Sequence, residues 1–386
     1  MNNTHKTIAI DIRLLGKKRT GDETVFFHLT KEILKLDKEN QYRLLTDETA
    51  VTKIAALSVR LECVGQDNVE IVSLPAANRY TWNFWILPMY LFQNRIDVLH
   101  TQYILPLFLP KHTRIITHIH DVSFRRYPEL IGRLDRFFLM LLIPRSLKKS
   151  ALIITPSQFT KSEIVKYYGV NQDKIAVVPN AVGENFLTNT KSSAEKALAV
   201  RKKYHLPQHF IIAVGTLQPR KNIPFLIDAF ASLRKRLPEM SLVLVGNRHA
   251  HHTDKQIERT IAEQKLEETI IFPGFIEEGD LPAVISLADV FVLPSLYEGF
   301  GIPLLEALCQ GVPVAASDIQ SLKEVGGEAA LYFDPESIAN CEEKLYTLCT
   351  NEQQRIALIR HGDERVRLFS WQKSARLLLD IYNKLS

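Results

Sequence analysis

Short apolar runs rich in β-branched residues alternate with amphipathic stretches along most of the chain. In the first half these runs are Ile8–Ile10, Val69–Ser73, Val98–His100, Ile115–Ile119, Leu152–Thr155 and Ile175–Val178. In the second half they are Phe210–Val214, Leu242–Val245, Ile270–Phe272, Val290–Leu293, Val314–Ala315 and Leu331–Phe333. A run that is apolar at nearly every position belongs to a strand covered on both faces, so the pattern predicts an α/β chain with doubly wound parallel sheets. Segments such as Asn222–Arg236 and Asp254–Gln264 carry the helical period between the strands. Leu187–Val200, LTNTKSSAEKALAV, opens polar and small and reads as a linker, which divides the chain near residue 190. Two such sheets side by side would put both sets of strand C-termini at one central cleft, where helix N-termini point at a ligand.

The length of 386 residues fits two or three domains. The four cysteines, Cys63, Cys309, Cys341 and Cys349, form no CxxC pair, which excludes a zinc ribbon or disulfide scaffold and fits a reducing cytoplasm. The apolar run before Asp11 is too short for a signal-peptide core, and no run of about 18 apolar residues occurs, so nothing is expected to span a membrane. The net charge of +5 is unevenly spread: residues 1–190 hold 25 Lys/Arg against 18 Asp/Glu, and residues 191–386 hold 23 against 25. A basic half fits a solvated surface, an acidic partner or an anionic lipid face. The cations are scattered and no nucleic-acid motif is visible, so no nucleic acid is expected.

The richest chemistry lies in PSLYEGFGIPLLEAL, residues 294–308. Glu298 follows a strand, Gly299 and Gly301 free the backbone, and Pro303 suits the first turn of a helix containing Glu306. The bare N–H groups across Gly299, Phe300, Gly301 and Ile302 suit a diphosphate, and a carboxylate on either side suits sugar hydroxyls. A nucleoside diphosphate sugar has that layout of ribose, two phosphates and hexose. A plain strand–turn–helix with both glutamates solvated is the other reading. The run from Gly299 to Leu304 lacks the third glycine of G-x-G-x-x-G, and no GxxxxGK[ST] occurs, so dinucleotide and P-loop chemistry are disfavoured.

The 294–308 segment resembles the Glu-x7-Glu signature of the family 4 retaining glycosyltransferases, which have the GT-B fold of two facing Rossmann-like domains. Val214–Asn222, VGTLQPRKN, is similar to that family's donor-diphosphate loop. Val177–Val182, VVPNAV, resembles the end of its N-terminal domain. Phe369-Ser370-Trp371 and the amphipathic stretch after it resemble the segment that crosses back onto the first domain. The resemblance implies an acceptor-binding domain of residues 1–190 plus the C-terminal helix 370–386, and a donor-binding domain of residues 191–369. It implies transfer of a hexose with retention, mannose from GDP-mannose first and a UDP-sugar second, to a glycan or lipid-linked acceptor. No cofactor is expected beyond the nucleotide sugar. Arg220 and Lys221 would stabilise charge on the leaving diphosphate, with one of them alternatively capping the next helix. Thr216 stands where many relatives have arginine. Base recognition is expected near Gly246-Asn247 and Gly274-Phe275-Ile276, which makes Phe275 a donor-side candidate.

On the acceptor side, alternation puts His118 and His120 on one strand face, with His120 expected to enter the cleft at the strand's C-terminal end and His118, deeper, to be a satisfied core residue. The resemblance gives His120 a contact to the transferred sugar. Gly21, ending the basic turn Leu15–Thr20, is a candidate for phosphate approach. Neither this histidine pair nor His249, His251 and His252 has a carboxylate at ligand spacing, so no metal is expected. Ser157 reads as a helix N-cap. Arg79–Leu87 and Arg133–Leu142 are aromatic and basic, either core or a peripheral membrane surface on the inner face. Two rival functions use the same residues: a GT-B sugar-nucleotide epimerase and a non-catalytic sugar-nucleotide-binding protein.

Overall fold

The computed structural model describes residues 5–17, 21–128, 132–188, 194–248 and 253–385. They form two compact units, Met1–Asn180 with Ser370–Ser386, and Ala181–Phe369. The division falls earlier than the expected residue 190 because Val182 and Phe186 are already buried in the core of the second unit.

The first unit contains a seven-stranded sheet in the order β3-β2-β1-β4-β5-β6-β7. Its strands are β1 (Thr7–Asp11), β2 (Gln41–Thr46), β3 (Val69–Ser73), β4 (Val98–Gln102), β5 (Arg114–His118), β6 (Leu152–Thr155) and β7 (Ile175–Val177). Every pairing is parallel. The apolar pattern does not announce β2, because Gln41 is exposed and Arg43 is half-buried between buried Tyr42 and Leu44. The second unit has a six-stranded parallel sheet in the order β10-β9-β8-β11-β12-β13. These strands are β8 (Phe210–Val214), β9 (Ser241–Val245), β10 (Ile270–Ile271), β11 (Val290–Leu293), β12 (Val314–Ser317) and β13 (Ala330–Phe333).

Alternation explains why these strands read as continuously apolar. Phe210, Ile212, Val243, Phe291 and Leu293 enter one core layer, whereas Ile211, Ala213, Leu242, Val290 and Val292 enter the layer on the opposite face. Ser157 caps the helix Gln158–Tyr168 through a 3.0 Å bond from Thr160 N, and Gly169 closes it at φ 62°.

The C-terminal helix Trp371–Lys384 belongs to the first unit and packs against the helix Gly21–Leu36. Trp371, Ala375, Leu378 and Tyr382 form its buried stripe. Its N-cap is Ser370, and its last carbonyls, of Tyr382, Asn383 and Leu385, accept from Lys6 Nζ at 2.7–2.9 Å. A cation at that end satisfies groups the helix cannot pair itself and complements its dipole. His28 stacks on Trp371 at 5.3 Å, and Tyr382 Oη lies in a hydrogen bond 2.7 Å from His100 Nδ1. No helix among the described residues is long and apolar enough to cross a membrane.

Both partners of the Tyr382–His100 bond are buried. Tyr382→Phe strands an imidazole nitrogen and should lower the unfolding free energy of the first unit by about 1–3 kcal/mol. Chemical denaturation checks this, and a variant as stable as the parent would show that the bond adds nothing net.

Candidate active site

In the second unit the strand order turns around between β8 and β11: the chain leaves β8 for β9 and β10, then returns to pair β11 on the other side of β8. Loops leaving the C-terminal ends of two such strands diverge and leave room between them, the usual ligand position in an open α/β sheet.

The loop after β8 turns at Gly215, with φ 153°, and continues through one helical turn at Pro219–Lys221 to Asn222 at φ 56°. This geometry folds Lys221 back, so that its Nζ would lie 3.9 Å from any Cβ placed on Gly215. Gly246 lets the loop cross the end of β9, since a Cβ there would stand 2.3 Å from Gly215 O. The loop after β11 is tied to the first one by Leu296 N donating to Arg220 O at 2.8 Å. It ends at Gly301, whose φ of 104° starts the helix Ile302–Cys309, and where a Cβ would meet Leu322 Cδ2 at 2.6 Å. Only glycine satisfies both conditions.

Glu298 joins the two loops. Its Oε1 accepts from Lys221 Nζ and, at 2.7 Å, from Ser295 Oγ; its Oε2 lies 3.3 Å from Arg220 Nη1. Arg220 Nη1 also donates to Tyr297 O at 3.2 Å. Lys221 and Glu298 are each 7% exposed. Burial alone would raise the Glu298 carboxyl, but the charges of Lys221 and Arg220 and the bonds from Lys221 and Ser295 outweigh it and hold it at about 2. A shallow pocket beside the cluster is lined by Gly215, Thr216, Lys221, Pro294 and Ser295.

The sequence candidates therefore divide. Arg220, Lys221 and Glu298 come together, and Thr216 is exposed at the rim of the same pocket. Glu306 is buried one turn into the helix that Gly301 opens, and Gly299 is buried in the loop before it. Ile302 packs partly on the core. The Phe300 ring sits in the core, edge-on to Phe369 at 5.5 Å, so its backbone rather than its ring is available to a ligand. Phe275 is 83% exposed. Ser295 is the member that sequence reasoning missed; a lone serine three residues before the glutamate gives no signal until the loop folds.

In the first unit His120 is buried, with Nε2 3.1 Å from Gln102 Oε1 and Nδ1 3.8 Å from Asp22 Oδ1. Asp22 stands in the first turn of the helix that Gly21 begins, and no atom lies within 4 Å of a Cβ placed on Gly21. His118 corrects an expectation: it is fully buried, yet neither ring nitrogen has a hydrogen-bond partner. It is held by stacking, 4.4 Å from His120 and 5.6 Å from His100. Burial, then the neighbouring histidines, pushes its pKa well below the usual value, so the ring is neutral. Among the described residues no group of three or more His, Cys, Asp or Glu is placed to hold a metal. His249, His251 and His252, and the turn Lys18–Thr20, lie outside the described residues.

Two doubly wound parallel units, the second bearing a buried cation–carboxylate cluster at its switch point, are those of a GT-B glycosyltransferase. Residues 21–185 match Glycosyltransferase Family 4, and residues 198–365 match Glycosyl transferases group 1. The chain is 32% identical over 277 residues to O-antigen chain mannosyltransferase B of Escherichia coli, covering 70% of this chain and 71% of that protein. Serotype-specific mannosyltransferase WbdA of Escherichia coli is 31% identical over 239 residues, 62% of this chain, but the match spans only 29% of that longer protein. Among solved structures, Anabaena Alr3699/HepE in complex with UDP and glucose superposes with a TM-score of 0.73 at 16% identity, over 98% of this chain and 100% of that one, a likeness of fold. The chain belongs to the family 4 glycosyltransferases and is a hexosyltransferase.

The ion cluster has a pH signature. The folded pKa of Glu298 lies below its ordinary 4.5, so its contribution is full above 4.5 and is lost as pH falls through about 2. Glu298→Gln leaves Lys221 buried without its counter-ion and should cost about 3 kcal/mol at neutral pH. The gap between variant and parent should close between pH 4.5 and 2, where the parent carboxyl also loses its charge. Denaturation along a pH series checks this; a constant gap would rule out an ionic contribution.

Proposed function

We propose that the chain transfers mannose from a nucleotide sugar, GDP-mannose first and a UDP-sugar second, to a glycan or lipid-linked acceptor of a surface polysaccharide. The anomeric configuration is retained and no metal takes part. The observation that carries this reading is the Lys221–Glu298–Arg220 cluster beside the helix start at Gly301. Two cations lie beside a helix N-terminus that carries no side-chain cap, a combination that suits a diphosphate leaving group. Relatives named as O-antigen and serotype-specific mannosyltransferases support mannose and the polysaccharide acceptor.

In this reading the second unit holds the donor and the first the acceptor. Lys221 and Arg220 stabilise the charge that develops as the bond from the sugar C1 to the phosphate oxygen breaks. The acceptor oxygen bonds C1 on the face the phosphate leaves, and the departing phosphate takes the acceptor's proton. Glu306 accepts from the ribose hydroxyls. Glu298 orients both cations and turns a remaining Oε2 lone pair to a hexose hydroxyl. His120, fixed by Gln102, bonds another hydroxyl of the transferred sugar. The four free thiols support action on the cytoplasmic side.

Incubation with a panel of nucleotide sugars and lipid extract, read by mass spectrometry, tests the class. Hexose mass added to the acceptor supports transfer; isomerised donor alone, or binding without turnover, overturns it. Activity should survive excess EDTA, and loss of activity that Mg²⁺ or Mn²⁺ restores would refute the cationic site. Lys221→Ala should lower kcat/KM by about 2–4 kcal/mol of transition-state stabilisation. Glu306→Gln should weaken free nucleoside diphosphate by about 1.5–3 kcal/mol in calorimetry, and unchanged affinity would remove it from the ribose.

A further inference from the structure

The turn that opens the helix Ile302–Cys309 has one side chain, the Phe300 ring, with a glycine on either side. That ring is buried, and its partner comes from the far end of the second unit. Phe369 lies 5.5 Å away at an interplanar angle of 86°. In this edge-to-face arrangement the positive rim of one ring rests on the negative face of the other. Phe369 is partly buried against the same core layer as Phe300. It is also the last residue of the second unit, since Ser370 already caps the C-terminal helix of the first.

Phe369 is itself held in place. Arg365, in the last turn of the helix Glu352–Val366, sets its guanidinium over the Phe369 ring at 5.3 Å. The same guanidinium donates from Nε to Val325 O at 2.7 Å and from Nη2 to Glu324 O. Both carbonyls lie in the last turn of the helix Gln320–Gly326, where the helix cannot pair them itself. Gly327, at φ 55°, leaves room for this contact: a Cβ there would stand 3.4 Å from Arg365 Nε. That helix also supplies Leu322, whose Cδ2 lies 2.6 Å from where a Cβ on Gly301 would be. The turn is therefore gripped twice by one assembly. Leu322 backs Gly301 directly, and Phe369, tied to the same helix through Arg365, backs Phe300.

A turn that offers backbone N–H groups to a ligand cannot aim them with side chains of its own at that surface. Their direction is set by what holds the turn from inside, and here that is the Phe300 ring and its support. We propose that Phe369 is a positioning residue for the donor diphosphate: through the edge-to-face contact with Phe300 it fixes the N–H groups of Gly299–Gly301 in the geometry the phosphates need. The inference rests on the donor reading above and adds to it the residue that holds the turn in register. The point where the chain leaves the second unit is then also the back support of its ligand turn.

Calorimetric titration of the full chain with GDP and with UDP tests this on Phe369→Leu, Phe300→Leu and the double variant, with unfolding in guanidinium followed alongside. A chain that is fully folded at the assay temperature binds with its own affinity whatever its margin of stability, so a loss of affinity reports the turn and not the fold. Phe369→Leu should weaken the tighter of the two diphosphates about 2–10-fold, the range an aromatic pair contributes, and Phe369→Tyr, which keeps the ring, should restore it. Phe300→Leu should weaken it as much. The double variant should lose no more than either single one, because both substitutions cut the same support. If the leucine variant does not fold, Phe369→Met, of similar volume, takes its place with the same expectation. Unchanged affinity in the folded Phe369 variant overturns the proposal, as do single losses that add in the double variant or a tyrosine that restores nothing. A parent that binds neither diphosphate overturns the donor reading and this inference with it.

Discussion

The second unit is organised around a buried lysine that needs a counter-ion. Lys221 is nearly shut off from water, and a desolvated ammonium is tolerated only where a carboxylate and its hydrogen bonds replace the lost hydration. Glu298 supplies that carboxylate from the neighbouring strand's loop, and Ser295 and Arg220 complete its own coordination. The two loops are therefore fastened together by charge as well as by the bond from Leu296 N to Arg220 O. A site assembled this way keeps its cations in place before any ligand arrives, as the proposed stabilisation of developing charge requires.

Sheet topology makes that pairing possible. Glu298 and Lys221 are far apart in sequence, and they meet because β8 and β11 are adjacent although two strands intervene along the chain. The same reversal occurs in the first unit, where β4 pairs β1 on the side opposite β2. There Thr101 Oγ1 donates to Asp11 Oδ2 at 3.1 Å across the switch, and the stacked histidines are His100 within β4, His118 at the end of β5 and His120 just beyond it. Their stack is apolar in its consequences: burial keeps His100, at about 3, and His118 neutral, and both rings pack at a tilt against Phe26.

The first unit is closed by a helix from the far end of the chain. Trp371, Leu378 and Tyr382 would be exposed on an isolated helix; against the helix Gly21–Leu36 they become core, and Lys6 holds the last carbonyls. The aromatic surface around Trp85 is the opposite case, an apolar stripe that the fold leaves uncovered although the sheet covers its other side.

Twelve apolar runs, the Gly-Phe-Gly turn before Pro303 and the Arg-Lys loop all declare themselves locally, because a strand buried on both faces and a turn with positive φ constrain residue type at each position. The sequence by itself thus determined the parallel α/β architecture, and through its motifs it indicated the family and the cationic loop. Strand β2 escaped because Gln41 and Arg43 interrupt its apolar run, and the boundary at Asn180 escaped because composition does not say which core Phe186 enters. Tertiary structure alone decided that Glu298 neutralises Lys221, that Ser295 supports it, that Phe300 is core, and that Trp82 and Trp85, three residues apart, have opposite fates. Burial and partner choice depend on what lies across the fold, and no local pattern encodes which distant side chain will be there.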